Sequence, residues 1–363
     1  MTDSNNLAQQ PPHRIDIHHH VIPVEYINAV KGIGIKTSGG VPFPNWSRNQ
    51  SLDIMDQNDI ATAITSISSP GVYFGNPSFA SDLARRCNEF SAGLVQANPE
   101  RFGFFATLPL PDAGASVSEA VYTLDTLGAD GVVLLASNGD KYLGHPDFNE
   151  LMEELNRRKA VVFIHPNLHS SSAALNLNIP TFYTEFLFDT TRAITNLIFS
   201  GTAERYPEIR WIFAHAGGTV PYIAWRLSLA DFDPNILERA PRGVMAYLKS
   251  FYYDTGLSTS PYALRSLLEL VPPTQILFGS DFPFAPAPLV VKEVDDLQAI
   301  QFLDENTRFM MDRTNALGLF PRIRTVADKE QVPSSQPQRV HEHRKIPVAT
   351  RLVLRLMRMI SNP

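Results

Sequence analysis

The 363-residue sequence has little of several features that define common protein classes. Its single cysteine, Cys87, excludes an internal disulfide and is compatible with a reducing compartment. No apolar run reaches the roughly 20 residues that a membrane-spanning helix needs. Residues 1–12 lack the apolar stretch of a signal peptide, and the net charge of −6 gives no basic surface for nucleic acid. We therefore expect a cytosolic (cytoplasmic) protein that binds no nucleic acid.

Eight short apolar segments alternate with helical patterns along most of the chain. Such segments are typical of strands that are buried on both faces of a parallel sheet. Eight strands separated by helices predict a closed α/β barrel of the (β/α)8 or TIM type. A doubly wound open sheet is the alternative, but it usually has a glycine-rich first turn, which this chain lacks. The predicted strands span residues 14–20, 61–68, 102–108, 131–136, 161–166, 211–215, 251–254 and 275–281.

The predicted barrel occupies residues 14–320. Residues 1–13 are rich in Asn, Gln and Pro and are predicted to be disordered. An irregular excursion rich in glycine and proline follows the first strand over residues 23–49, and a long helix is predicted over residues 184–206. Residues 321–345 are polar and contain several prolines, so we predict a linker after the barrel.

Residues 346–363 are predicted to form an amphipathic helical tail. Arg351, Arg355 and Arg358 are spaced four and three residues apart, which places them on one stripe of a helix beside a broad apolar face. We expect this helix to dock on the barrel or on a partner subunit. A membrane-surface anchor is the alternative, because a basic stripe beside an apolar face is attracted to anionic lipid.

The first strand ends in three consecutive histidines. Successive side chains of a strand point to opposite faces, so His18 and His20 share one face with Cβ atoms roughly 7 Å apart, while His19 points away. Histidine is the commonest protein ligand of zinc-like metals. A tag remnant or a solvated loop is the alternative, but a tag is not usually embedded in an Ile-x-Ile strand. The pattern predicts half of a metal site.

Further polar residues stand where other apolar strands end, namely His165, His215 and Asp281. Active sites of barrels lie at the carboxyl ends of the strands, so these side chains are expected to meet His18 and His20. Three or four of the five would hold one metal ion and leave a position open for water or substrate.

These motifs resemble the amidohydrolase superfamily. Asp-Ile-His-His-His, Phe-Ile-His-Pro, Ala-His-Ala-Gly-Gly and Gly-Ser-Asp-Phe-Pro are similar to the branch that contains aminocarboxymuconate-semialdehyde decarboxylase. Residues 185–192, Glu-Phe-Leu-Phe-Asp-Thr-Thr-Arg, further resemble 6-methylsalicylate decarboxylases. The resemblance covers residues 14–320 and implies an amidohydrolase-type barrel.

The resemblance also implies roles for the strand-end residues. His215 would be the catalytic histidine beside the metal, and either His215 or Asp281 would deliver a proton. Many superfamily members hold two metals through a carbamylated lysine at the end of strand four, where this chain has Ser137. A single divalent ion is therefore implied, with zinc expected and manganese as the alternative. Its ligands would be His18, His20, His165 and Asp281.

Substrate contacts and a partner subunit follow from the same resemblance. Arg226 would approach the substrate carboxylate of the neighbouring subunit in a homodimer. Arg48, in the first excursion, is a second candidate for that anion. An aromatic substrate also needs an apolar surface, and Phe282, Phe284, Phe182 and Tyr183 lie on loops at the end of the barrel that carries the site, with ordinary core packing as the alternative. For either arginine, an ordinary surface ion pair is the alternative.

The implied reaction is non-oxidative decarboxylation of a salicylate-like acid. The first candidate is conversion of 6-methylsalicylate to 3-methylphenol and carbon dioxide. One alternative is a metal-dependent hydrolase, such as a lactonase, that uses a metal-activated water. Another is a barrel without catalytic activity that acts as a binding protein.

Overall fold

A computed structural model describes residues 13–175 and 177–323. The disorder predicted for residues 1–12, the helical tail and nearly all of the predicted linker lie outside the described residues. His13, which the sequence grouped with the disordered segment, donates its backbone N–H to the carbonyl oxygen of Asp59 at 3.0 Å. Within the described ranges, no helix is both long and apolar enough to cross a membrane.

Eight parallel strands form one sheet in chain order. Backbone hydrogen bonds join the residues after the last strand to the first strand, from Ile17 N to Phe278 O at 3.0 Å and from Asp281 N to His18 O at 2.7 Å. These bonds close the sheet, so the predicted TIM barrel is confirmed. The strands are β1 Arg14–His20, β2 Ile60–Ser66, β3 Phe102–Thr107, β4 Gly131–Leu135, β5 Val161–His165, β6 Arg210–Phe213, β7 Tyr252–Asp254 and β8 Ile276–Leu277.

Helices connect the strands around the outside of the barrel. The excursion after β1 contains one of them, together with a short hairpin that pairs Thr37–Ser38 with Val41–Pro42. The described α-helices are α1 Val24–Gly32, α2 Arg48–Gln57, α3 Pro77–Ala97, α4 Ala113–Tyr122, α5 Asn149–Arg157, α6 Glu185–Phe199, α7 Thr202–Arg205, α8 Val220–Ser228, α9 Pro234–Arg239, α10 Val244–Leu248, α11 Pro261–Leu270, α12 Ala287–Ala299, α13 Glu305–Phe309 and α14 Asn315–Leu319.

Two predicted elements differ from the structure. The single helix predicted over residues 184–206 is wrong, because Gly201 adopts a left-handed conformation with φ of 77° between α6 and α7. The strand predicted over residues 275–281 is regular only over its first part. Asp281 has φ of 56° and leaves the strand conformation, and its carboxylate lies beside His18 and His20.

The barrel interior is filled with apolar side chains. Ile17, Phe105 and Phe163 lie in one buried cluster with Phe320, which follows α14 and enters the amino-terminal end of the barrel. The ring centroids of Phe105 and Phe320 are 5.8 Å apart. Arg322 then pairs with Asp130 at 2.9 Å, so the start of the predicted linker packs with the barrel. The filled interior leaves the carboxyl ends of the strands as the place for a functional site.

Candidate metal centre

The side chains of four predicted ligands meet at the carboxyl end of the barrel. Ligand atoms of His18, His20, His165 and Asp281 all lie within 4.8 Å of one another, and all four residues are buried. The Nε2 atoms of His18 and His20 are 3.1 Å apart. Asp281 Oδ1 lies 3.3 Å from His18 Nε2 and 3.1 Å from His20 Nε2. The site is thus compact and contains three imidazoles and one carboxylate.

The local backbone explains this convergence. Alternation along β1 places His18 and His20 on the same side of the strand, while His19 bonds Ser51 on the other side at 2.9 Å. His165 is the last residue of β5. The backbone bond from Asp281 to His18 closes the barrel and brings the carboxylate next to β1. Distant parts of the sequence therefore meet because the sheet is closed.

Each histidine of the cluster has one ring nitrogen occupied by a neighbour. Nδ1 of His18 lies 2.8 Å from Asp254 Oδ2, and Nδ1 of His20 lies 3.0 Å from Ser66 Oγ. Nδ1 of His165 lies 2.8 Å from the carbonyl oxygen of Pro166. Such partners fix the tautomer and the ring orientation of metal-binding histidines. They leave the Nε2 atoms facing the centre of the cluster.

The donor set fits a divalent metal ion. Asp281 Oδ1 is buried and makes no hydrogen bond to any described residue, although two imidazole nitrogens lie close to it. A buried carboxylate oxygen without a hydrogen bond is costly unless another ligand compensates it. Three imidazoles with one carboxylate are ligands that zinc accepts, and imidazole and carboxylate donors also suit manganese.

The protonation equilibria of the cluster depend on burial and on the two carboxylates. Burial lowers the pKa of His165 well below its ordinary value, with a further contribution from the neighbouring histidines, and burial also lowers the pKa of His20. Burial alone would lower the pKa of His18, but Asp254 and Asp281 raise it well above the ordinary value. Because metal binding requires neutral imidazole, a proton at His18 competes with the ion.

His215 lies beside the predicted ligands in the turn after β6. It has φ of 54°, and its backbone N–H donates to Asp254 Oδ1 at 2.8 Å. Its Nε2 lies 3.3 Å from Asp281 Oδ2, while its Nδ1 is buried without a hydrogen-bond partner among the described residues. The turn needs glycine at Gly218, because a Cβ there would collide with the carbonyl oxygen of Leu187. The His215 imidazole therefore lies next to the Asp281 carboxylate, although His215 is not one of the four clustered residues.

Two half-buried aromatic rings border the cluster, in addition to Phe163, whose buried ring lies 5.0 Å from that of His18. Phe186, on α6, has its ring centroid 5.9 Å from that of His165, and Phe284 lies 5.4 Å from His20. Phe282, the ring predicted as a substrate contact, instead lies 5.1 Å from His19 and packs with Ile54 in a separate apolar cluster. The structure therefore places Phe282 on the opposite side of β1 from the metal ligands. Phe284, another ring that the sequence offered, and Phe186, which it did not, are the rings that contact His20 and His165.

The two predicted anion-binding arginines are exposed. Arg48 is the first residue of α2, and Arg226 lies on α8. Neither side chain makes a hydrogen bond or an ion pair with the described part of the chain. Within one chain, the structure does not bring either guanidinium into the four-residue cluster.

Two buried acids at the site were missed by the sequence analysis. Asp254 ends β7, so the rule that selected Asp281 from its strand end would also have selected it. Asp16 accepts the backbone N–H of His18 at 3.0 Å and the Ser280 hydroxyl at 2.6 Å. It thereby links β1 to the residue before Asp281. An acid inside a strand gives no such signal in the sequence, because alternating polar residues usually face solvent.

The barrel and its cluster of histidines and aspartate define a metal-binding barrel of the amidohydrolase type. The chain belongs to the Amidohydrolase family, whose sequence model matches residues 15–322.

Particular relatives narrow this assignment. Decarboxylase yanB of Aspergillus niger is 38% identical over 333 residues, covering 87% of this chain and 89% of that protein. The 6-methylsalicylic acid decarboxylase of Penicillium expansum is 36% identical over 324 residues, covering 88% of this chain and 99% of that protein. A Polaromonas dihydroxybenzoic acid decarboxylase, solved with bound manganese, superposes with a TM-score of 0.74 at 23% identity, covering 86% of this chain and 98% of that one. The last comparison shows that the fold is shared.

Proposed function

We propose that this protein is a metal-dependent decarboxylase of a salicylate-like aromatic acid. The first candidate reaction converts 6-methylsalicylate to 3-methylphenol and carbon dioxide. The observation that carries the proposal is the placement of His215 beside a buried three-histidine, one-aspartate cluster. The relatives at 36% and 38% identity, which are named decarboxylases, favour this reaction over hydrolysis.

One divalent ion per chain is proposed, held by His18, His20, His165 and Asp281. Zinc is expected from the donor set, and manganese is the alternative because the Polaromonas decarboxylase binds it. When bound, such an ion would hold the substrate carboxylate and its ortho-hydroxyl group and would stabilise negative charge on them. His215 lies beside these ligands, so an acid held there would face its imidazole.

Decarboxylation requires a proton at the ring carbon that bears the carboxylate. Once that carbon is protonated, the bond to the carboxylate breaks, carbon dioxide leaves and the electron pair restores the aromatic ring. The hydrogen-bonded pair of His215 Nε2 and Asp281 Oδ2 is the proposed source of the proton. His215 is expected to act without contributing to metal binding, whereas Asp281 is expected to serve both purposes.

The ring of the substrate needs an apolar surface beside the metal. Phe186 and Phe284 border the histidine cluster from α6 and from the loop before α12, and both are half-buried. We propose that they contact the two sides of the aromatic ring. Each of these rings directly contacts one predicted histidine ligand, so a small, planar acid bound at the metal would lie beside them.

A homodimer is proposed around α8. Tyr222 and Trp225 are 88% and 76% exposed, and Leu229 continues the same side of the helix into the following turn. Exposed aromatic residues clustered in this way are typical of protein interfaces. Arg226 lies within this surface, so its guanidinium could reach the substrate carboxylate bound to the partner subunit. Arg48 is proposed as a second contact for the substrate carboxylate.

The proposed enzyme is cytosolic, in keeping with its one cysteine, Cys87, which is buried and has its pKa raised by burial to about 12. The reaction is tested by incubating the purified, metal-loaded protein with a panel of hydroxybenzoates and measuring carbon dioxide and phenols. The proposal expects stoichiometric formation of both from at least one ortho-hydroxy acid. Ring opening of lactones without carbon dioxide release would instead indicate the hydrolase.

A further inference from the structure

α12 carries a buried acid that the sequence analysis did not single out. Glu293 is 3% exposed, and its Oε1 accepts a hydrogen bond from the backbone N–H of Leu257. Its Oε2 is buried and has no hydrogen-bond partner among the described residues. A buried carboxyl group with one oxygen that lacks a partner costs stability, so its one hydrogen bond is of interest.

The partner of Glu293 has an unusual backbone conformation. Leu257 has φ of 50°, a left-handed value that is uncommon for a residue with a side chain. Such conformations persist only where the surroundings hold them. Leu257 itself is 39% exposed, so packing of its side chain does not fix it firmly. The hydrogen bond to Glu293 is the tertiary contact that restrains its backbone.

The segment that ends at Leu257 leads directly to the metal centre. Three residues earlier, Asp254 Oδ2 lies 2.8 Å from His18 Nδ1, and Asp254 Oδ1 accepts the backbone N–H groups of His215 at 2.8 Å and Gly256 at 2.9 Å. A Cβ on Gly256 would lie 2.8 Å from His18 Nδ1, so the backbone already packs against that ring. Any shift of this segment moves a predicted ligand and the backbone of the predicted catalytic histidine together.

We propose that Glu293 is a positioning residue of the metal centre, which holds the Leu257 backbone and thereby fixes Asp254 against His18 and His215. The inference rests on the metal binding that the proposed function includes, but it does not depend on the identity of the substrate.

The charge state of Glu293 is consistent with this role. Burial, with a contribution from Asp281, raises its pKa to about 9. Asp16 acts in the same direction, while His18 opposes it. At neutral pH the group is thus a neutral acid, which accepts the Leu257 N–H without adding a charge near Asp281. Glutamine has the same shape and a carbonyl oxygen, so it should be a functional replacement.

The test compares metal affinity among variants at one position. Glu293→Gln keeps the acceptor, whereas Glu293→Leu and Glu293→Met remove it, the latter with an unbranched side chain that packs more adaptably. Leu297→Ala, on the same helix and fully buried, is the control for general loss of packing. The metal is first removed with a chelator. Dissociation constants for zinc and manganese are then measured by competition with a chromogenic chelator, and thermal melting confirms that each variant is folded.

The inference predicts that Glu293→Leu and Glu293→Met weaken metal binding by roughly 10–100-fold, the usual effect of losing an outer partner of a ligand. Glu293→Gln should bind within about threefold of the wild type, and Leu297→Ala should melt earlier without losing affinity. Wild-type affinity in a folded Leu or Met variant would overturn the inference, as would an equal loss in Leu297→Ala. Because metal affinity is the readout, the result stands whether or not any hydroxybenzoate is decarboxylated.

Discussion

The carboxylate of Asp254 lies 2.8 Å from Nδ1 of His18, with both side chains fully buried. Its other oxygen accepts the backbone N–H of His215 at 2.8 Å. One carboxylate therefore orients a predicted metal ligand and holds the backbone of the predicted catalytic histidine. This relationship connects metal binding to proton transfer.

Asp254→Ala should weaken metal binding by roughly 10–100-fold, because His18 loses the group that orients its ring. Chelator competition measures the affinity. Asp130→Asn is the control, since Asp130 pairs with Arg322 at the opposite end of the barrel. Equal affinities in the wild type and Asp254→Ala would show that His18 needs no such partner.

The wild-type protein should contain about one equivalent of a divalent metal per chain, since three histidines and one carboxylate complete a single site. His18→Ala combined with His20→Ala should lose it. Elemental analysis of the purified proteins measures the content. His145→Ala and His169→Ala alter histidines outside the cluster and should retain the metal. Two equivalents per chain in the wild type would contradict the single-ion assignment.

His215→Ala should bind metal normally and lose at least about a hundredfold in turnover, the usual scale for a general acid or base. Asp281→Asn should lose both turnover and metal affinity, because the carboxylate belongs to the ligand set. Steady-state kinetics and metal analysis of the two variants separate these roles. Near-normal turnover of His215→Ala would remove His215 from the chemistry.

The stability of the protein should depend on pH through Glu293. Its pKa is about 9 in the folded state against an ordinary value of 4.5, so the folded state keeps a proton that the unfolded state releases. As the pH rises from about 4.5 to about 9, the free energy of unfolding of the wild type should fall relative to that of Glu293→Gln. The expected slope is up to about 1.4 kcal/mol per pH unit. Below and above this window the difference should be constant. This difference is measured by urea unfolding of both proteins at several pH values in the window, with a chelator present to keep metal out. A difference that does not change with pH would contradict a buried neutral acid.

Trp225→Glu should convert the proposed dimer to a monomer, because it places a charge in the exposed aromatic surface of α8. Light scattering after gel filtration measures the molecular mass. Val24→Glu is the control, since Val24 is 68% exposed on α1, which follows β1, whereas α8 follows β6. A monomeric wild type would contradict the dimer.

Much of the centre could be predicted because a closed parallel barrel brings its strand ends together. His18, His20 and His165 were found from alternation and from the ends of apolar runs, which depend only on local periodicity. Asp281 reaches the same place through a left-handed residue after a two-residue strand. The sequence predicted that Asp281 would lie at the site, but not its left-handed backbone conformation.

Contacts between residues that are distant in the sequence could not be predicted from it. Phe282 and Phe284 are two residues apart, yet one packs against His19 and the other against His20. Their loop has no regular period from which to assign sides. Glu293 could not be identified from the sequence either. Its partner is the backbone N–H of Leu257, and every residue except proline has such a group, so the residue types do not indicate the contact.

The most direct test of the central claim is to incubate the metal-loaded protein with 6-methylsalicylate in deuterated water. Carbon dioxide and the phenolic product are then quantified, and the product is examined by mass spectrometry and NMR. Decarboxylation predicts equal amounts of carbon dioxide and 3-methylphenol, with one deuterium on the ring carbon that carried the carboxylate. No carbon dioxide from 6-methylsalicylate or from any other ortho-hydroxy acid, with metal bound, would contradict the account.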